Sequence, residues 1–219
     1  MRIAILAITC LALSCGVLAQ GSSAQKRAED LSRVQELIND PSPHMRVAHF
    51  EDIAASGDAV KLQLAVQIAL TGNDAILRGV AFRAYIAGAK RIMAEISLSP
   101  TLQKALEKAS TGDRQAMFQF RSSYDGLERL LSTGMRVDLR IQDFNIASGQ
   151  GKLTLSAIPN GVWDFNVAGD RLLATIQPFQ GVNTPCMVEM RALRDLRISG
   201  SMVCQHTSFG PVSLSAPMF

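Results

Sequence analysis

The chain has 219 residues, a formal net charge of +3 and an ordinary apolar share, which suits one large globular domain or two small ones. One Trp and two Tyr are too few aromatics for a broad stacking surface for sugars or bases. The basic residues are scattered, Lys26-Arg27 and Lys90-Arg91 being the longest runs, so the concentrated positive surface that nucleic acid requires is not expected.

The N-terminus carries the first signal. Met1-Arg2 is a positive start, Ile3 to Leu13 is apolar apart from Thr9 and Cys10, and Ser14 to Ala19 closes on small residues. Val17 and Ala19 stand where a signal peptidase reads, so residues 1–19 are expected to be a secretory signal peptide cleaved before Gln20. Two other readings compete. One is an uncleaved anchor, for which the run is short of roughly 18–20 apolar residues. The other is lipidation at Cys15, which Ala12-Leu13-Ser14 fits poorly. No second apolar run follows, so the mature chain is not expected to span a membrane, and its expected location is periplasmic or secreted.

Residues 20–134 read as helical. Leu31, Val34, Leu37 and Ile38 fall at helical spacing until Asn39-Asp40-Pro41-Ser42-Pro43 breaks the run. A second helix carries Met45, Val47, Ala48, Phe50 and Ile53. Gly57-Asp58 then closes one helix and caps the next, and Gly72-Asn73-Asp74 repeats that punctuation. Leu62, Ala65, Val66, Ala69 and Leu70 form an apolar stripe between the two. A further segment runs from Ala75 to Gly88 with Val80, Ala81 and Ala84 inside, and Ala89 to Met93 reads as its continuation. Asp40-Pro41-Ser42-Pro43-His44-Met45-Arg46-Val47-Ala48 and Asp74-Ala75-Ile76-Leu77-Arg78-Gly79-Val80-Ala81 each place an Arg early in a helix and a small residue soon after. On these residues the segment Asp40 to Lys90 resembles the HEAT-like helical repeats. The resemblance implies a helical array that serves as a protein-contact scaffold; a plain bundle is the alternative. Ser99-Pro100 starts another helix, with Pro in the first turn. The stretch 117–131 reads equally as helix, turn or strand.

From Met135 the apolar period becomes two. Val137, Leu139 and Ile141 alternate with polar residues, as do Leu153 and Leu155. Further short strands are expected at Val162–Val167, Leu172–Ile176, Met187–Met190, Leu196–Ile198, Met202–Cys204 and Val212–Leu214, with Ser199-Gly200-Ser201 as a hairpin turn. Roughly seven strands in residues 135–219 indicate an antiparallel β-sandwich or small barrel following the helical domain, an α+β chain with its boundary near Gly134. Val137, Leu139, Leu153, Leu155, Ile198 and Val203 are expected inside.

Cys186 and Cys204 remain after signal cleavage and are expected to form a disulfide, as an even pair in an exported protein does. The alternative is a metal site built on Cys204 and His206. No catalytic, cofactor or metal residues are assigned. There is no Gly-x-Ser-x-Gly, phosphate loop or calcium loop. Nothing selects a pair among Asp138, Asp143, Asp164, Asp170 and Asp195, and His44 and His49 are five apart rather than four. Trp163 reads as a core residue. The expected role is a non-enzymatic interaction module of the cell envelope whose partner is another protein. The alternatives are an enzyme or enzyme inhibitor with scattered site residues, or a carrier of a small hydrophobic ligand.

Overall fold

The computed structural model describes residues 14–113, 134–156, 161–177, 185–204 and 211–219. Its elements in chain order are α1 (Ser14–Ile38), α2 (Pro43–Ala55), α3 (Ala59–Thr71), α4 (Ala75–Gly88), β1 (Arg91–Ser97), α5 (Pro100–Ser110), β2 (Arg136–Asn145), β3 (Gln150–Leu155), β4 (Trp163–Ala168), β5 (Arg171–Ile176), β6 (Cys186–Ala192), β7 (Arg197–Cys204) and β8 (Val212–Pro217). The chain forms two compact units, Met1–Ala65 and Val66–Phe219, which divide inside α3.

In the first unit the expected punctuation is in place. Ser42 caps α2, with Pro43 in its first turn. Gly57 takes the left-handed conformation (φ 72°) that a residue with a Cβ resists. The Asp58 carboxylate then accepts the Val60 and Lys61 backbone N–H groups, 3.1 Å each, at the start of α3. Arg27 of α1 grips the same carboxylate with two hydrogen bonds of 2.7 and 3.0 Å. Val34 and Ile38 of α1 and Phe50 and Ile53 of α2 are buried. Helix α1, from Ser14, runs through Ala19-Gln20, the position at which cleavage is expected from the sequence.

In the second unit all eight strands close into an antiparallel barrel, each strand paired with the next and β8 with β1. Closure settles the choice between sandwich and barrel, and among the described residues it leaves no sheet edge exposed. Alternation sorts the side chains. Ile92, Ala94, Leu139, Leu153, Phe165, Val167, Ile176, Met190, Ile198 and Val212 are buried, while Arg91, Glu95, Arg140, Lys152, Asp164, Arg171 and Glu189 are exposed between them.

Four expectations change. Arg91-Ile92-Met93 does not continue α4: Ala89 turns extended, and β1 runs on with a strict exposed–buried alternation. One barrel strand therefore lies within residues 20–134 and seven lie within 135–219. Ser199-Gly200-Ser201 is not a hairpin turn, because β7 runs straight through it, opposite Glu189–Arg191 of β6. Gly200 is needed there for space: a Cβ would fall 1.8 Å from the Glu189 carbonyl oxygen. Val203 points outward, 43% exposed, since the inward places on either side belong to Met202 and Cys204. Leu62 and Val80 are half-buried rather than core, whereas Ala65, Val66, Ala69, Ala81, Ala84 and Trp163 are buried.

Helix α4 caps one mouth of the barrel. Gly79 approaches the β4–β5 turn so closely that its missing Cβ would sit 3.1 Å from Gly169 Cα. Arg78 donates to Asp170 Oδ2 (3.0 Å) in that turn and to the Ala192 carbonyl (2.9 Å) at the end of β6. Arg83 lies by Gly149 of the β2–β3 turn, and Tyr85 meets Phe219 edge-to-face at 5.6 Å. Burial of Tyr85 raises its phenol pKa. The Cys186–Cys204 disulfide joins directly opposed residues of β6 and β7 at the other mouth. Residues 114–133, 157–160, 178–184 and 205–210 are not among the described residues, so the ambiguous stretch 117–131, the turn at Pro159-Asn160 and His206 lie outside them, as do residues 1–13 of the expected signal peptide.

Candidate functional site

The candidate site is a groove of about 910 Å³ on the outer face of β3–β6. Its floor is a grid fixed by strand register. Gln150 stands opposite Asn166, Asn166 opposite Leu173, and Leu173 opposite Glu189. In the neighbouring row Lys152 stands opposite Asp164 and Thr175 opposite Met187. Each is exposed because its strand buries the alternate residues: Gly151, Phe165, Ala174 and Val188.

One end of the groove is shaped by a bulge. The β2–β3 register slips between Gln142 and Asn145, and Asp143 adopts a left-handed φ of 49°. Such a bulge bends its strand and re-aims side chains, and here Asp143 lines the groove. Phe144 stacks on Phe165 beside the bulge, with centroids 5.5 Å apart. Asn145 fixes the following turn by accepting the Ala147 and Ser148 N–H groups, 2.9 and 3.0 Å. Val162 borders the other end, 55% exposed.

The chemistry of the groove is mixed. Asp143, Asp164 and Glu189 bring three carboxylates against the one ammonium of Lys152. Glu189 is shared with Arg171, 3.3 Å away. Val162, Leu173 and Met187 are exposed aliphatic side chains among these polar groups, and Val203 extends the apolar row from Met187 onto β7. Exposed apolar side chains framed by polar ones are the composition of a recognition surface.

The five acids singled out from the sequence are dispersed. Asp143 and Asp164 both line the groove. Asp138 is buried on β2 between Arg91 and Arg140. Asp170 is held by Arg78 and Arg191, and Asp195 lies in the β6–β7 turn. Cys204 is committed to the disulfide, so its thiolate is withdrawn from the metal alternative. Among the described residues no group of three or more His, Cys, Asp and Glu is placed to hold a metal ion. His49 lies 3.9 Å from Asp40 in the first unit, and His44 is on the exposed start of the same helix. The groove could not be found by spacing: its floor comes from four strands, and only register brings Gln150, Asn166, Leu173 and Glu189 into line. Comparisons with family models, curated proteins and solved structures return no match.

Proposed function

We propose that the chain is an exported, non-enzymatic binding module of the cell envelope, and that its partner is a protein engaged through the β3–β6 groove. The observation that carries this reading is the outer face itself, where Leu173, Met187 and Val162 stand exposed among three carboxylates on a closed, rigid barrel. A closed barrel offers no edge strand for backbone pairing, so recognition has to run through side chains. The excess of carboxylates favours a partner segment that pairs aliphatic with basic side chains. The barrel also reverses the layout of a membrane-spanning one, which turns apolar residues to lipid; this one turns Arg91, Arg140, Lys152, Arg171 and Glu189 outward. The disulfide suits an oxidising compartment.

The test is affinity capture from an envelope extract with the wild-type chain and with a Leu173→Asp/Met187→Asp variant. A protein retained by the wild type and lost by the variant is expected. Identical retention by both would overturn the reading.

A further inference from the structure

We propose that Arg91, Arg140 and Thr154 form a second site, on the outer face of β1–β3, that binds a phosphate group. Three strands set these residues in one row: Arg91 directly opposes Arg140, and Arg140 directly opposes Thr154. Two arginines in direct opposition repel each other and weaken a sheet. This chain tolerates the pair by placing one carboxylate beside it. Asp138, 4% exposed, lies 3.0 Å from Arg91 Nε through Oδ1 and accepts from Arg140 Nε through Oδ2 at 3.1 Å. Among the described residues Oδ1 accepts no well-aligned hydrogen bond, so the Arg91 contact is chiefly one of charge.

One carboxylate offsets one of the two guanidinium charges. It also holds both guanidiniums through Nε, which fixes their positions in the row. Arg91 Nη2 is further oriented by the Met93 sulfur at 3.3 Å, a weak acceptor. Beyond these contacts both side chains are open to solvent, 58% and 61% exposed. A guanidinium edge binds oxyanions through two parallel hydrogen bonds, and pre-ordering it lowers the entropy cost of binding. Two such edges and a half-buried threonine hydroxyl offer donors to several oxygens of a single tetrahedral phosphate, with a residual charge of the right sign. The phosphate could belong to a soluble ester or to an anionic lipid headgroup. This site and the groove rest on different residues, so either can fail alone.

The test follows the Nε–H resonances of Arg91 and Arg140 in the full chain while inorganic phosphate is added at constant ionic strength. Saturable shifts are expected. Arg91→Gln and Arg140→Gln should each weaken binding about tenfold, and Arg140→Lys, which keeps the charge but not the fork, should fall between. Arg136→Gln is the control: Arg136 lies on the same strand and is 64% exposed, so its loss should leave binding unchanged. Circular dichroism checks that each variant folds. Co-sedimentation with phosphatidylglycerol vesicles, if abolished by Arg140→Gln, assigns the phosphate to a lipid; phosphate binding without vesicle binding assigns it to a soluble ester. Absence of saturable shifts, or equal weakening by Arg136→Gln, overturns the proposal.

Discussion

At the scale of single residues, Asp58 does two jobs that can be separated. It caps α3 through backbone N–H groups and pairs with Arg27 of α1. The Arg27 hydrogen bonds, then the Lys61 N–H, hold its carboxyl well below the usual carboxylate range. A depressed pKa contributes stability that is complete above the unfolded value of about 3.9 and is lost as pH falls below it toward the folded value. Asp58→Asn keeps an acceptor for the cap and removes the titrating charge. Acid titration of the helical signal is therefore expected to show a smaller loss below about pH 4 in Asp58→Asn than in the wild type; equal losses would mean that the pair does not set acid stability. Gly200 makes a second prediction. Its added methyl would press on the β6 backbone, so Gly200→Ala should destabilise the barrel by about 1–3 kcal/mol in denaturant melts.

At the scale of elements, the disulfide and α4 each secure one mouth of the barrel. The Cys186–Cys204 bond spans a sequence separation of 18. Replacing both cysteines by alanine should lower stability by about 2–4 kcal/mol, read from urea unfolding of the barrel. Arg78→Met should cost about 1–2 kcal/mol by removing two charge-assisted hydrogen bonds to the barrel rim. Most of these elements were legible in the sequence because their signals are local. Caps at Ser42, Asp58, Asp74 and Ser99 and the two-residue period after Met135 all act within a few positions. What was missed depends on distant partners. Arg91–Ser97 is a strand because β2 and β8 flank it, and only three apolar residues betray its alternation. Ser199-Gly200-Ser201 resembles a turn until its partner strand brings a backbone against the glycine. Val203 was misplaced with it, because a two-strand reading leaves the phase of the second strand unfixed.

At the scale of the whole molecule, the barrel needs β1, although 38 residues separate its last residue, Ser97, from Arg136 at the start of β2. Residues 98–135 lie between β1 and β2, yet the two strands pair along their length. Without β1, strands β2 and β8 would each present an unpaired edge. A fragment Met135–Phe219 is therefore expected to self-associate or to stay unfolded, while a fragment starting at Asn73, which retains α4 and β1, should be a folded, strand-rich monomer by circular dichroism and sedimentation. A stable monomeric barrel from Met135–Phe219 would contradict closure through β1.

The functional account stands on the groove, and site-specific photo-crosslinking tests it most directly. A photoreactive residue replaces Thr175 in the groove or, as the control, Ser213 on the outer face of β8, in the full chain expressed in its own host. The account predicts a discrete crosslinked protein from position 175 that is absent from position 213 and disappears when Leu173→Asp is added. The same products from both positions, or none from position 175, would contradict it.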